Sequence, residues 1–312
     1  MKLNEISRVH FSVAWLLTEY PAKWQNKNKQ LVVEHMGPVK KPNSRHVTVS
    51  RWQDAELKND IPKRTTRYTE IPGFFKYRAA KPGDIQWHLN FANEEVFVAY
   101  GGGLLAQDEL QCLEHPVLGS VREALVGAAN FKPLTVENGK PTPILITGVD
   151  RRCKLHTTDL YGNRFKRASP ETIKESIHII DPPTVSNIIA MEAPHSRGLY
   201  TREQIRYILT TAVTVFAAAV RESGNKRAVI NTGFWGCGAY GGNQELMALL
   251  QLLAARIAGV PELIFRSGSE YGYYSYKRAD ELSAEFDDKS NLSEIVDIIF
   301  ARKYVWGMSN GT

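Results

Sequence analysis

The sequence lacks the cysteines that a disulfide framework or a zinc site would need. Its 312 residues include only three cysteines, Cys112, Cys153 and Cys237, which lie far apart and form no CxxC pair. The eight histidines are scattered as well, so no Cys/His spacing suited to zinc occurs. This sparse, odd set indicates free thiols in a reducing compartment. We therefore predict an intracellular protein, cytoplasmic or nuclear, that uses no metal and no cofactor.

Long apolar runs are lacking too. The richest stretch, TTAVTVFAAAV at residues 210–220, is shorter than the roughly 18 residues needed to cross a bilayer, so it predicts a buried helix. At the N-terminus, Glu5 and Arg8 precede a short apolar run that has no small-residue cleavage site, which indicates mature sequence rather than a signal peptide. A hydrophobic content of 43% with 23% charged residues is typical of a globular protein, and we expect no membrane association.

The net charge of +6 is unevenly distributed along the chain. Residues 21–68 contain eleven lysines and arginines against four acidic residues. Such a segment attracts a polyanion or an acidic protein surface, or else it forms an ordinary solvated face. The neighbouring aromatic residues Trp24, Trp52 and Tyr68 do not form a base-stacking pattern, so the sequence does not favour nucleic acid as the partner.

The order of the predicted elements indicates an α/β fold with a largely parallel sheet. Residues 86–92 alternate between apolar and polar types, as a half-buried strand does. Two short helices are predicted over residues 108–127, with a break at Pro116. The elements that follow are strands at 143–149 and 184–193, a helix at 200–222, a strand at 227–233, a helix at 243–258 and a strand at 261–267. Ligands of such sheets bind at the carboxyl ends of the strands.

Residues 1–80 show no comparable periodicity. They are polar and punctuated by proline, and we expect irregular structure there. We therefore predict an N-terminal accessory region, residues 1–83, that packs on a core domain formed by residues 84–312.

A glycine-rich segment, NTGFWGCGAYGGN at residues 231–243, lies between a predicted strand and a predicted helix. Glycine lets backbone amides approach a ligand closely, and the helix that follows offers free N–H groups to an anion. We therefore predict a diphosphate-binding loop. The segment lacks the GK[ST] of a P-loop and is not a GxGxxG fingerprint. Its aromatic residues Phe234, Trp235 and Tyr240 either wall a ribose or base or anchor the loop to the core.

The stretch GGGLLAQDELQ at residues 101–111 combines three glycines with the acidic pair Asp108 and Glu109. From its composition alone, an adjacent Asp-Glu pair is most often a solvated helix start. It is also what glycosidic-bond cleavage needs. One carboxyl group protonates the leaving group, and its carboxylate then activates water.

Two segments resemble the poly(ADP-ribose) glycohydrolases, a macrodomain family. TGFWGCGAYGG at residues 232–242 is similar to their TGNWGCGAFGG loop, and the apolar helix after it resembles theirs. NFAN at residues 90–93 is similar to their DFAN, and QDELQCLEHP at residues 107–116 to their QEEIRFLINP. The resemblance covers roughly residues 84–267. It implies a three-layer α/β/α macrodomain-like sandwich with a mixed, largely parallel sheet, and metal-independent hydrolysis of ADP-ribose bonds.

The resemblance also implies a role for each matching residue. Glu109 matches the catalytic second glutamate of QEE, and Asp108 matches the first, which holds ribose hydroxyls. Gln107 would orient the ribose or the leaving group, and Asn93 would bind the distal ribose. Further substrate contacts are implied for Thr232, Gly233, Trp235, Gly236, Cys237, Gly238, Ala239, Tyr240 and Gly241. Cys237 has no paired base, so we expect a small residue in a tight turn rather than a nucleophile.

The triple glycine departs from the family pattern. In the glycohydrolases it follows the FAN segment directly, whereas here EEVFVAY intervenes and the glycines stand close to QDE. We expect a rebuilt substrate loop and therefore a substrate other than the polymer. The stretch resembles a divergent, MavL-like branch that removes single ADP-ribose units from arginine, including arginine on ubiquitin.

Several alternatives stay open at this point. The chain could cleave the polymer, act as a non-catalytic ADP-ribose reader, or bind nucleic acid through its basic segment. Glu94 and Glu95 either recognise a guanidinium group or are surface acids. One of Tyr271, Tyr273 and Tyr274 either stacks on adenine or packs at the rim of the site.

Overall fold

The computed structural model describes residues 2–74, 77–128, 130–192 and 194–309. The strands are β1 (Glu5–Ser12), β2 (His46–Trp52), β3 (Arg67–Pro72), β4 (Asp84–Ala92), β5 (Val136–Glu137), β6 (Lys140–Pro141), β7 (Ile144–Leu155), β8 (Ile177–Glu192), β9 (Arg227–Gly233) and β10 (Glu262–Gly268). The α-helices are α1 (Val13–Glu19), α2 (Lys27–Met36), α3 (Gln107–Glu114), α4 (Val117–Gly127), α5 (Pro170–Ser176), α6 (Arg202–Glu222), α7 (Gln244–Ala258), α8 (Glu270–Glu285) and α9 (Leu292–Ala301). Residue 193, the last of one predicted strand, lies outside the described residues.

The main sheet has eight strands in the order β1-β2-β7-β8-β4-β9-β10-β3. The strands from β8 through β4, β9 and β10 to β3 run parallel, whereas the pairings among β1, β2, β7 and β8 are antiparallel. The sheet is therefore mixed and largely parallel, as predicted. Its parallel half brings the carboxyl ends of β4, β9 and β10 to the same edge.

Helices cover both faces of this sheet. Leu145 and Ile189 pack in one hydrophobic cluster with α6, α7, α8 and α9. Their chain neighbours Ile144 and Ile188 belong to a second cluster with α1 and α4. Because successive side chains of a strand point to opposite faces, the two clusters lie on opposite sides of the sheet. This arrangement confirms the predicted three-layer α/β/α sandwich.

The local signals that predicted the core helices are visible in the structure. Asn243 caps α7 by accepting a hydrogen bond from the backbone of Leu246 at 3.1 Å. The same helix ends at Gly259, whose φ of +67° is the left-handed conformation that glycine adopts without strain. Pro116 separates α3 from α4, as predicted. Among the described residues, no helix is both long and apolar enough to cross a membrane.

The expectation of irregular structure over residues 1–80 is wrong. The stretch forms three strands and two α-helices, and its strands occupy both edges of the main sheet. β3 pairs in parallel with β10, and β1 and β2 form the opposite edge. The sheet is thus built from residues on both sides of position 84, while the division into an accessory region and a core domain stays a prediction.

The basic stretch at residues 21–68 is not one continuous exposed surface. The side chains of Lys29 and Arg51 are completely buried. Others are engaged in ion pairs, such as Arg64 with Asp287. Because its cations are divided between the interior and separate ion pairs, the stretch does not form the uninterrupted stripe that tracks a nucleic-acid backbone.

Candidate active site

A cavity of about 650 Å³ opens at the carboxyl ends of β4, β9 and β10. His88 and Phe91 of β4, Thr232 and Gly233 of β9, and Arg266 of β10 line it. Open α/β sheets bind ligands at this edge. The volume lies in the usual range for small-molecule sites, roughly 300–1,000 Å³. The sheet therefore forms a ligand site where the order of elements predicted one.

Gln107 attaches the start of α3 to the sheet. The register between β4 and β9 ends where His88 pairs with Asn231. Just beyond it, the Gln107 carboxamide accepts from the backbone N–H of Phe91 at 2.8 Å and donates to the carbonyl of Leu89 at 2.7 Å. Both ends of the amide are therefore bound to β4. Gln107 lines the cavity as a fixed wall, and the acidic pair follows it directly.

Asp108 and Glu109 lie in the first turn of α3 with only 8% and 4% of their surfaces exposed. Asp108 accepts a hydrogen bond from the Asn90 side chain at 2.9 Å. The Glu109 carboxylate reaches back to the backbone N–H of Ala106 at 3.0 Å and caps the helix. The two acids thus have separate partners, and they are buried rather than solvated.

Burial sets the protonation of this pair. It raises the pKa of Asp108 to about 7, and the neighbouring charge of Glu109 adds to the effect. Burial also raises the pKa of Glu109, whereas the positive charge of Lys29 lowers it. Asp108 therefore has a pKa near neutrality, at which a carboxyl group can both give and take a proton, and the pKa of Glu109 is shifted in the same direction.

Asp108→Asn should stabilise the protein at high pH. The folded-state pKa of Asp108 is raised, so the carboxyl contributes stability below its unfolded pKa and loses it as the pH rises through about 7. The neutral amide escapes this loss. The free energy of unfolding of Asp108→Asn, measured with urea, should exceed that of wild type by almost nothing at pH 4 and by roughly 2–4 kcal/mol at pH 8. An advantage that does not change with pH would contradict the burial of a charge at this position.

The start of the predicted diphosphate loop is held from behind by α7. The Thr232 hydroxyl donates to the Gln251 carboxamide oxygen, and the Gln251 amide donates to the carbonyl of Gly233 at 3.0 Å. From this fixed start the chain passes Cys237 and Gly238, which line the cavity before α7 begins. Of the predicted loop residues, the structure therefore brings Thr232, Gly233, Cys237 and Gly238 to the cavity wall.

Other loop residues hold the loop in place. Trp235 is completely buried in the main core cluster, so the structure places it as an anchor instead of the predicted substrate contact. Gly236 and Gly241 have φ values of +73° and +67°. A Cβ on Gly241 would lie 2.5 Å from the carbonyl oxygen of Gly307. These two glycines are therefore required by tight turns and by a close approach of the C-terminal segment.

Asn93 and Tyr240 form a rim outside the cavity wall. The Asn93 amide donates to the Tyr240 hydroxyl at 3.3 Å, and the Tyr240 ring stacks on His195 with 5.4 Å between centroids. Asn93 and Ala239 are exposed. The predicted contacts of these residues with substrate stay predictions, and they would be made at the mouth of the site.

The triple glycine packs against the N-terminal stretch. The carbonyl of Gly101 accepts from the backbone N–H groups of Gln25 and Asn26, each at 3.0 Å. A Cβ on Gly101 would lie 2.3 Å from the carbonyl oxygen of Lys23. Glycine is needed here because two backbones meet, and none of the three glycines lines the 650 Å³ cavity.

Sequence reasoning missed part of the cavity wall. The missed residues are Phe74, Tyr77, His88, Leu89, Phe91, Gln111, Thr157, Thr158, Tyr161, Asn231, Gln244, Arg266, Ser267 and Ser269. Phe234, which the sequence left open as wall or anchor, also lines the cavity. One signal was available for Gln111, which lies one helical turn after Gln107 and so shares its face. Its amide donates to the Tyr77 hydroxyl at 2.9 Å, and the Tyr77 ring packs 4.1 Å from His88. No local pattern connects Phe74 and Tyr77, or Thr157, Thr158 and Tyr161, to this wall.

Cys237 and the tyrosines of α8 do not add chemistry to the wall. Burial raises the pKa of the Cys237 thiol, which disfavours the thiolate that a nucleophile requires. Tyr271, Tyr273 and Tyr274 are exposed in the first turns of α8, and stacking of one of them on adenine stays a prediction. Within the described ranges, no group of three or more His, Cys, Asp or Glu side chains is placed to hold a metal ion.

The sequence profile of the poly(ADP-ribose) glycohydrolase (PARG) family, of macro domain fold, matches residues 66–271, about two thirds of the chain. The chain belongs to this family. It is therefore a glycosidic-bond hydrolase acting on ADP-ribose. The match begins at β3, so it includes part of the stretch that we predicted to be accessory.

Solved glycohydrolase structures resemble this one at low identity. The enzyme from Thermomonospora curvata is 16% identical with a TM-score of 0.46, covering 88% of this chain and 85% of its own. The enzyme from Deinococcus radiodurans in complex with ADP-ribose is 12% identical with a TM-score of 0.44, covering 89% and 94%. Membership of the glycohydrolase family rests on the profile match and not on these likenesses.

Proposed function

We propose that this glycohydrolase removes single ADP-ribose units from arginine side chains of modified proteins, with arginine on ubiquitin as one acceptor. The observation that carries the proposal is an acidic rim next to Asn93. Glu94 is exposed, and its carboxylate makes no ion pair within the described part of the chain. Burial raises the pKa of the Glu192 carboxyl, and the charge of Glu94 adds to the effect. Carboxylates are the preferred partners of a guanidinium group.

Glu94 and Glu95 differ in availability. The Glu95 carboxylate is already paired with Arg122 at 2.6 Å. Glu192 accepts a hydrogen bond from the Tyr207 hydroxyl at 2.8 Å, which leaves its second oxygen for another donor. The structure therefore supports Glu94 with Glu192, rather than Glu95, as the recognition pair for a cationic acceptor.

The position of the triple glycine supports a substrate other than the polymer. Its backbone is bonded to Gln25 and Asn26 of the N-terminal stretch. The carbonyl of Gly101 is thereby held on the N-terminal stretch, away from the cavity at the strand ends. A single ADP-ribose unit needs only the cavity at the strand ends.

The chemistry follows from the buried pair on α3. The bond between C1″ of the ribose and the guanidinium nitrogen breaks as a protonated carboxyl, Glu109, gives its proton to that nitrogen. The resulting carboxylate then takes a proton from water as the water oxygen attacks C1″, which restores the carboxyl. In this scheme Asp108, which accepts a hydrogen bond from Asn90, binds ribose hydroxyls.

A panel of ADP-ribosylated substrates tests the proposal. Free ADP-ribose would be measured after incubation with arginine-, serine- and glutamate-linked proteins and with the polymer, with arginine-modified ubiquitin in the first group. We expect at least tenfold higher kcat/KM for the arginine linkage. Equal or faster cleavage of the polymer would instead favour a poly(ADP-ribose) glycohydrolase, and tight ADP-ribose binding without any turnover would favour a reader.

Glu94→Gln should weaken recognition of arginine-linked substrate. Losing one carboxylate partner of the guanidinium is expected to lower kcat/KM about tenfold, or about 1.4 kcal/mol, on arginine-linked substrate and to leave serine-linked substrate unchanged. Glu95→Gln is the matched control because its carboxylate is paired with Arg122. Equal losses of kcat/KM in Glu94→Gln and Glu95→Gln, or a loss on both arginine- and serine-linked substrates, would show that Glu94 does not recognise the guanidinium group.

A further inference from the structure

The Lys29 ammonium is completely buried in the protein. Lys29 lies on α2, ahead of the residues that match the glycohydrolase profile. Its Nζ donates to the carbonyl of Tyr100 at 2.6 Å, and no ion pair with a carboxylate holds it among the described residues. A buried cation without a salt-bridge partner is costly, so its retention next to an active site calls for a functional explanation.

The groups that face Lys29 belong to α3. They are Glu109, Cys112 and Asp108, whose charges raise the pKa of Lys29, Glu109 most strongly. Tyr161 faces Glu109 from the loop after β7. α5 also packs on α2 but adds no charged group that shifts Lys29. α2 packs on α3, and Val32 of α2 shares a hydrophobic cluster with Leu110 and Leu113 of α3. The buried side chain of Lys29 therefore lies at the interface with the helix that carries the acidic pair.

We propose that Lys29 is a positioning residue of the hydrolase, whose ammonium, held by the carbonyl of Tyr100, faces the Glu109–Asp108 pair and stabilises the Glu109 carboxylate in the water-activating step. The inference rests on the acid/base role proposed for Glu109. That role requires the same group to give a proton and then to take one. Burial favours the carboxyl form and Lys29 favours the carboxylate form, so together they keep both forms accessible.

The N-terminal stretch is thereby part of the active site. The loop that carries Tyr100 also bonds the start of α2 through Gly101, which accepts from Gln25 and Asn26. α2 is further anchored by Asn28, whose amide donates to the carbonyls of Phe165 and Ala168 at 2.7 and 3.1 Å. These contacts hold the lysine at a fixed place behind α3.

Lys29→Met tests the proposal through the pH dependence of turnover. Without the ammonium, Glu109 should hold its proton to higher pH, so the optimum of kcat should move up by about one pH unit while KM stays within twofold. Asn28→Ala is the matched control, because it loosens the same helix without changing a charge. An unmoved optimum in Lys29→Met, or an equal shift in Asn28→Ala, would overturn the proposal.

A titration of Lys29 gives a second test that needs neither turnover nor a folded Lys29 variant. Burial lowers the pKa of Lys29 to about 8, and the charge of Glu109 opposes that effect. The ¹³Cε shift of Lys29 should therefore report a pKa about one unit lower in Glu109→Gln than in wild type. An unchanged value would refute the coupling. A chain that couples Lys29 to Glu109 but releases no ADP-ribose from any linkage would refute the proposed function instead.

Discussion

Glu109→Gln is expected to lower kcat about 1,000-fold on every ADP-ribosylated substrate and to leave ADP-ribose binding within about threefold. Loss of a positioned acid/base group typically removes 10²–10⁴-fold in rate. The glutamine should preserve the fold, because its carbonyl oxygen can still accept from the backbone of Ala106, as the carboxylate does at 3.0 Å. Only the proton transfer is lost. Released ADP-ribose and calorimetric binding of ADP-ribose measure the two effects separately.

A matched acid elsewhere in the chain serves as the control. Glu171 also lies in the first turn of a helix, α5, but it is exposed, so Glu171→Gln should keep full activity. Asp108→Asn should lose less rate than Glu109→Gln and should raise KM, since its proposed role is to hold ribose hydroxyls. More than a tenth of wild-type activity in Glu109→Gln would assign the acid/base role to another group.

Arg151→Met is expected to destabilise the fold by about 3–5 kcal/mol, the usual cost of removing one partner of a buried ion pair. The Arg151 Nε donates to the Glu114 carboxylate at 2.8 Å, and the side chains are 6% and 2% exposed. The second oxygen of Glu114 accepts from the backbone of Leu155. The variant would leave Glu114 charged and buried, or force it to bind a proton.

Arg151→Met should also weaken ligand binding in the cavity. The Arg151 guanidinium lies 4.0 Å over the ring of Tyr77, and Tyr77 lines the ligand site. Removing this support should weaken ADP-ribose binding by about threefold, beyond the loss of stability. Binding would be compared at a temperature where both proteins are folded.

Urea unfolding with two further variants separates the causes. Adding Glu114→Gln to Arg151→Met removes the stranded charge and should recover at least half of the lost free energy of unfolding. Arg202→Met is the control for a surface pair, because Arg202 and Asp297 are 50% and 59% exposed, and it should change stability by less than about 1 kcal/mol. An Arg151→Met cost no larger than that of Arg202→Met would contradict a buried pair.

The sequence by itself determined β4, α3, α4, α6, β9, α7 and β10, and parts of β7 and β8, whereas β5, β6 and α5 were not predicted. Helical and alternating periodicities report which face of an element is buried, so α6, α7 and β9 could be assigned locally. The glycine-rich loop and the QDE acids were recognisable because backbone turns and helix starts depend on a few adjacent residues. The structure places the loop after β9 and Gln107 against the end of β4, at one edge of the sheet, whereas Asp108 and Glu109 are not among the residues that line the cavity.

The tertiary structure alone decided how distant segments complete the site. β3 pairs with β10 across almost 200 residues of chain, and Thr157, Thr158 and Tyr161 join the cavity wall from a loop after β7. Lys29 is buried on α2, which packs on α3, although its stretch was predicted to be a basic surface. Trp235 lies in the core instead of at the predicted cavity wall. Such placements depend on pairing and packing between residues far apart in sequence, which local sequence patterns do not predict.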